Sequence, residues 1–245
     1  MSEIIIGRNA VLEALKSDRE IEKITVAKGA EGSVKQIAAK AKAKKIPLNY
    51  SDRARLDKEA SGTNHQGVIA VVSDYRYATV DEILAKAENL GEPPFVMILD
   101  GLEDPHNLGA IMRTAECAGV HGIIIPKRRS VTVNETVAKT SAGASEHMLC
   151  ARVTNISREI EYLQQHGLWI GACDMDGDVY YRQDLTGGTG IVIGSEGSGI
   201  SRLVREKCDF VVSIPMKGRI TSLNASNAAS ILMYEIVRQR LAEQE

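Results

Sequence analysis

Three apolar runs in the second half of the chain each stop at a polar or glycine-rich segment, and this repeated junction restricts the fold more than any other feature. Phe95–Leu99 leads to Asp104-Pro105-His106-Asn107 and on to Arg113. Gly190–Ile193 leads to Gly194-Ser195-Glu196-Gly197-Ser198-Gly199. Phe210–Ile214 leads to Pro215-Met216 and then Ser222-Leu223-Asn224. Short apolar runs separated by amphipathic segments spell strands alternating with helices, and hence a parallel sheet covered on both faces. In such sheets ligands bind outside the carboxyl ends of the strands. The three junctions therefore predict one composite site, and with it an enzyme.

The first 74 residues predict a smaller α/β unit. A helix is expected over 4–16, with Val11, Leu12 and Leu15 apolar. Strands are expected at Ile24–Ala27, Leu48–Tyr50 and Gly67–Ser73, and helices at Lys35–Lys45 and Arg53–Glu59. Residues 75–94 read as a linker carrying one amphipathic helix, Val80–Ala87, and closed by Gly91-Glu92-Pro93-Pro94. Residues 95–245 form the second domain. Beyond the three strands above, it is expected to hold strands at Gly122–Ile125 and Leu168–Ala172. Its helices are expected near Leu108–Ala118, Glu135–Ser141, Ile156–His166, Ser201–Glu206 and Leu223–Ala242.

Composition excludes several classes. No apolar run approaches the ~18 residues of a membrane span, and Met1-Ser2-Glu3 lacks the basic start of a signal peptide. A cytoplasmic protein with no membrane partner is expected. Cys117, Cys150, Cys173 and Cys208 are far apart, so free thiols are expected rather than a zinc site. Asp100, Glu103 and Asp104 match no strong metal-ligand spacing, and no metal is expected. The net charge of −2 makes no general case for a polyanion partner, but residues 1–74 carry 13 Lys/Arg against 10 Asp/Glu. Lys40–Lys45, Lys127–Arg129 and Lys217–Arg219 are the local groups able to follow a phosphate backbone. At 4% aromatic residues, few rings are available for base stacking.

Each junction supports particular chemistry. Glycines after Ile193 suit a turn that brings backbone close to a ligand, or a purely structural turn. A dinucleotide loop is disfavoured, because the GxGxxG order is absent and Glu196 would repel a pyrophosphate. S-adenosylmethionine, with a sulfonium, an ammonium and no phosphate, suits such a loop better. Asn107 is placed to cap a helix, and Arg113, within its first two turns, to contact a phosphate. Ser222 through Ser230 opens the last helix with small and capping residues, and Ile231, Leu232, Ile236 and Leu241 then give it an apolar face for core or a dimer.

Together, these segments resemble the three sequence motifs of the SpoU (TrmH-like) family of RNA ribose 2′-O-methyltransferases. Leu99 through Ala115 resembles the first motif, Ile193–Gly197 the second, and Ile214-Pro215-Met216 through Ser222-Leu223-Asn224 the third. The likeness spans about residues 95–240. Gly7 through Leu15 and His65-Gln66-Gly67-Val68 resemble the front domain of the branch that methylates 23S rRNA guanosine (RlmB-type). The resemblance implies a SPOUT-type parallel sheet with a C-terminal trefoil knot, preceded by a small L30e-like α/β domain that holds rRNA. It implies a homodimer with its sites near the subunit interface. S-adenosylmethionine would be held by Gly194, Ser195, Ile214, Met216 and Leu223. Arg113 would take the 2′-OH proton, helped by a substrate phosphate, and Asn107, Glu196, Ser222 and Asn224 would orient the reacting groups. Asn227 and Ser230 depart from the family pattern, which more often has apolar or glycine residues there.

The reaction expected is therefore S-adenosylmethionine-dependent 2′-O-methylation of a guanosine in large-subunit rRNA. A tRNA methyltransferase of the same family and a non-catalytic RNA-binding assembly factor are the alternatives. A nucleotide-dependent oxidoreductase is opposed by Glu196.

Overall fold

The structure, a computed structural model, describes residues 2–16, 20–30, 32–73 and 75–243. It divides into two compact units, Met1–Arg76 and Tyr77–Glu245.

The first unit is a four-stranded sheet with three helices: β1 (Ser2–Ile6), α1 (Arg8–Ala14), β2 (Glu20–Ala27), α2 (Ser33–Ala43), β3 (Leu48–Ser51), α3 (Arg53–Glu59) and β4 (Val68–Ser73). The strand order is β1-β4-β2-β3, antiparallel except for the β2/β3 pair. The helix expected over 4–16 is a strand followed by a shorter helix. Ile4-Ile5-Ile6 is β-branched throughout, which favours extended backbone, and β1 pairs with β4 from Ser2↔Ser73 to Ile6↔Ile69. Val11, Ile24, Val34, Ile37, Val68 and Val72 form the centre of the core, each at most 3% exposed.

The second unit holds α4 (Val80–Leu90), β5 (Phe95–Asp100), α5 (Pro105–Cys117), β6 (Gly122–Pro126), α6 (Glu135–Thr140), β7 (Leu149–Val153), α7 (Ile156–Gln165), β8 (Trp169–Val179), β9 (Thr189–Gly194), α8 (Arg202–Arg205), β10 (Phe210–Ser213) and α9 (Ala225–Ala242). Its six strands are all parallel, in the order β10-β8-β9-β5-β6-β7. Val96, Met97, Ile98, Ile124, Ile170, Ile191 and Val192 are at most 1% exposed, as expected of strands covered on both faces. Each such side chain contributes about 1.5–3 kcal/mol of hydrophobic stabilisation. The segment expected as a linker supplies α4, which buries Val80, Ile83 and Ala87 in this unit. A reciprocal capping box of Thr79 and Glu82 starts α4, and Gly91 in the left-handed region stops it.

Three features of this unit set up the site. The chain lays β5, β6 and β7 in one direction, crosses to β8, and only then fills the gap between β5 and β8 with β9. The β5/β9 pair is thus the point where strand order reverses, the position at which open α/β sheets bind ligands. Secondly, β8 makes a five-residue excursion: Ala172 pairs with Val211, but the next pair is Asp178 with Val212. A Cβ on Gly177, at the end of the excursion, would lie 2.6–2.7 Å from the Val211 and Val212 backbone, so no larger residue fits without a shift. Thirdly, α5 begins at Pro105 rather than near Leu108. Asp104 is its cap and accepts from the His106 N–H at 2.9 Å, with Pro105 at the first helical position. Asn107 therefore does not cap the helix and is free for other bonds.

Candidate active site

The carboxyl ends of β5 and β9 lie side by side, with Asp100 opposite Gly194. From β5 the chain turns into α5, which carries Asn107, buried at 5% exposure, in its first turn. From β9 it enters a closed loop: the Ser195 N–H donates to the Gly199 carbonyl at 3.1 Å and the Gly199 N–H to the Ser195 carbonyl at 3.0 Å. Gly194 is demanded by this return, since a Cβ there would lie 2.2–2.5 Å from Gly199 and Ile200 backbone atoms. From the edge strand β10, residues 214–224 return to the same place and end at Asn224, the cap of α9.

The three motifs meet in one hydrogen-bonded cluster. Asn107 Nδ2 donates to Glu196 Oε1 at 2.9 Å. Asn224 Nδ2 donates to the same Glu196 oxygen at 2.7 Å and to Asn107 Oδ1 at 2.9 Å. Asn224 Oδ1 accepts from the N–H and the hydroxyl of Ser226, at 3.0 and 2.6 Å. Both amides are thereby fixed in orientation, and the second Glu196 oxygen makes no hydrogen bond among the described residues.

Two cavities flank this cluster. The first, about 630 Å³, is lined by Cys173, Asp174 and Met175 of the β8 excursion, by 193–200, by Ile214 and Met216, and by 221–225 and Ala228. Gly194, Ser195, Ile214, Met216, Ser222 and Leu223 all line it, so every residue expected to hold a cofactor is on one wall system. Its lining includes two carboxylates, Asp174 and Glu196, and no Lys, Arg or His. Burial, and then the neighbouring Asp174 charge, push the Cys173 thiol up to about 11, which leaves it a neutral thiol rather than a nucleophile. The second cavity, about 790 Å³, is bounded by 100–104, Asn107, Pro126, Arg128, Arg129, 195–199 and Ser201. The 195–199 loop is a wall common to both.

Not every expected residue joins the cluster. Ser222 is exposed and lines the first cavity without bonding to the triad. Arg113 is the ninth residue of α5, in its third turn. Six helical positions place it about 120° around the axis from Asn107. It is exposed, makes no hydrogen bond or ion pair with the described residues and lines neither cavity. The residues missed from sequence are Cys173, Asp174 and Met175, which entered the wall through a strand irregularity with no local signature. Among the described residues no three His, Cys, Asp or Glu side chains converge to hold a metal, and no helix is long and apolar enough to cross a membrane.

Comparison with known proteins agrees with this geometry. The SpoU rRNA methylase family profile matches residues 94–234, and a profile described as RNA 2′-O ribose methyltransferase substrate binding matches residues 4–78. The Bacillus subtilis protein YacO, named for the TrmH family of tRNA/rRNA methyltransferases, is 49% identical over 238 residues, covering 96% of this chain and 95% of its own. The fold resembles that of the SpoU methyltransferase AviRb from Streptomyces viridochromogenes, solved with AdoMet, with a TM-score of 0.63 at 23% identity over 98% of this chain and 91% of that one. The A. aeolicus TrmH/SpoU tRNA modifying enzyme aligns at a TM-score of 0.57 and 26% identity, covering 67% of this chain and 85% of its own. Motifs, topology and near full-length similarity converge, and the chain belongs to the SpoU (TrmH) family of RNA methyltransferases.

Proposed function

We propose that this chain uses S-adenosylmethionine to methylate the ribose 2′-OH of a guanosine in 23S rRNA. The observation that carries the reading is the Asn107–Glu196–Asn224 cluster, set between a cavity with no cationic side chain and a cavity bearing two arginines. The first cavity suits the cofactor chemically. A sulfonium and an ammonium fit a wall with two carboxylates, whereas a phosphate-bearing nucleotide would find no positive side chain there. Gly194, Ser195, Ile214, Met216 and Leu223 would hold it, within a C-terminal trefoil knot. When bound, S-adenosylmethionine supplies the methyl group.

The remaining work falls to this chain. A ribose hydroxyl is a weak nucleophile at neutral pH, so it must be fixed in line and relieved of its proton as the new O–C bond forms. Asn107, Glu196 and Asn224 form a rigid rim at the edge of both cavities, where fixed donors and acceptors hold the ribose. Ser222 completes the cofactor-side wall. Arg113, protonated at neutral pH, would first pass a proton to a substrate phosphate beside it and then take the 2′-OH proton as the O–C bond forms. Because Arg113 lies outside both cavities of one chain, that step belongs to the RNA-bound homodimer. The L30e-like unit 1–74 would hold rRNA, 95–245 would carry the catalytic motifs together with α4 from the 75–94 segment, which packs in the same unit, and the enzyme would work in the cytoplasm.

A tRNA substrate is the second reading. Against it, the A. aeolicus tRNA enzyme aligns with only 67% of this chain, whereas this chain carries the additional substrate-binding match at 4–78. The test is transfer of tritiated methyl from S-adenosylmethionine to unmodified 23S rRNA, tRNA and precursor particles, with wild type and Arg113→Ala, followed by mapping. One 2′-O-methylguanosine in 23S rRNA, lost in the variant, is expected. Exclusive labelling of tRNA would replace the substrate, and no transfer to any RNA would favour an assembly factor.

A further inference from the structure

The second cavity holds charges that the triad does not use. Arg128 and Arg129 both line it, both are exposed, and neither has an ion-pair partner among the described residues. Lys127, next in sequence, does not line it. The arginines are not on a loose segment. The Lys127 N–H donates to the Val153 carbonyl at 2.8 Å, and the Val131 N–H to the Leu102 carbonyl at 2.7 Å, so the 127–131 turn is tied at both ends to neighbouring elements. Arg129 itself sits at φ +54°, a left-handed conformation uncommon for a residue other than glycine, asparagine or aspartate.

The two cavities share one wall and differ in their cations. The cofactor-side cavity has two carboxylates and no cation. The other sets Arg128 and Arg129 among four carboxylates, of which Asp100 accepts from the Ser201 N–H, Asp104 from the His106 N–H and Glu196 from the amides of Asn107 and Asn224. A nucleotide inside an RNA chain brings a phosphodiester on each side of its ribose, so whichever cavity takes it must meet negative charge. Guanidinium forks match phosphate oxygens bidentately. We propose that the second cavity receives the target nucleotide, and that Arg128 and Arg129 grip the phosphates flanking its ribose so that the 2′-OH faces the Asn107–Glu196–Asn224 rim. This rests on the methyltransferase reading above. It gives the two arginines a role at the reacting nucleotide, distinct from general attraction of RNA to the front unit.

The test compares wild type, Arg128→Ala, Arg129→Ala, Arg129→Gly and the double alanine variant on the mapped substrate RNA. Arg129→Gly removes the side chain while relaxing the left-handed backbone, so a folding defect in Arg129→Ala cannot mimic loss of the contact. Loss of a charge-assisted contact predicts a fall of about 10- to 100-fold in kcat/KM per arginine, with S-adenosylmethionine affinity by calorimetry unchanged in the absence of RNA. A second arm uses RNA in which one flanking phosphate is replaced by a neutral methylphosphonate. Deletion of the arginine that binds that phosphate should then cost little further, because the charge it binds is already gone, while deletion of the other keeps its loss. Full kcat/KM in the double variant, an undiminished loss from both arginine deletions on the methylphosphonate RNA, or weakened cofactor binding would each overturn the proposal. If wild type labels no RNA, the methyltransferase reading fails first and takes this assignment with it.

Discussion

At the scale of single residues, the site depends on which atoms of two amides face one carboxylate. Asn107 and Asn224 both donate to Glu196 Oε1, and Asn107 Oδ1 accepts from Asn224. Asn107→Asp keeps the shape but replaces a donor with a second carboxylate beside Glu196. A buried position that loses its donor and gains a like charge costs about 1–3 kcal/mol. The expected outcome is a lowered denaturation midpoint together with a fall in kcat/KM of at least 10-fold, measured by urea unfolding and by methyl transfer. The identities of these residues were legible in the sequence, because polar groups after apolar runs stand out. Their wiring was not. Asn107 reads as a helix cap until Asp104 and Pro105 are seen to start the helix. Arg113 reads as its partner until six helical positions carry it to another face.

At the scale of elements, most strands and helices were legible from apolar runs and periodicity, and the misses have identifiable causes. β1 was hidden because Ile4-Ile5-Ile6 runs straight toward the apolar residues of α1 with only Gly7, Arg8 and Asn9 between. β7 was hidden because Arg152 interrupts it; the guanidinium lies 5.0 Å from the Tyr77 ring and donates to the Lys127 carbonyl. One element junction also carries a pH dependence. The His121 N–H donates to the Phe95 carbonyl at 2.8 Å, and its Nδ1 accepts from the Phe95 N–H at 2.9 Å, so the ring joins the starts of β5 and β6 as a neutral imidazole. Burial lowers its pKa, opposed by Glu92 and assisted by Lys86 and Arg240. With the folded pKa below the unfolded value near 6.5, the unfolded chain binds the extra proton first. The contribution to stability is therefore full above about pH 6.5 and lost as pH falls through the folded pKa. Urea midpoints should drop from pH 7.5 to pH 5.5, and His121→Gln should flatten that slope; an unchanged slope would count against the assignment.

At the scale of the whole molecule, strand order was the least legible property. The central strands share one Ile/Val-rich composition, so nothing local says that β9 lies between β5 and β8. The division into two units follows more directly, because each has its own buried cluster. Every residue lining the first cavity belongs to the 77–245 unit. A fragment spanning 77–245 should therefore bind S-adenosylmethionine with an affinity close to that of the full chain in calorimetry, while its kcat/KM on structured rRNA falls. Loss of cofactor binding in a folded fragment would show that the front unit is needed for the cavity itself.

The late placement of β9 has a consequence for how such a chain is made. During synthesis β5, β6, α7 and β8 emerge before the strand that must separate β5 from β8, and the Asn224–Asn107 bond closes a span of 117 residues. Until β9 is inserted, β5 presents an apolar unpaired edge of the kind that recruits other chains. A nascent polypeptide stalled after β8 has most of its sheet and none of its second and third motifs. The active centre is thus the last part of the molecule to exist, and prematurely terminated products are both inert and prone to self-association.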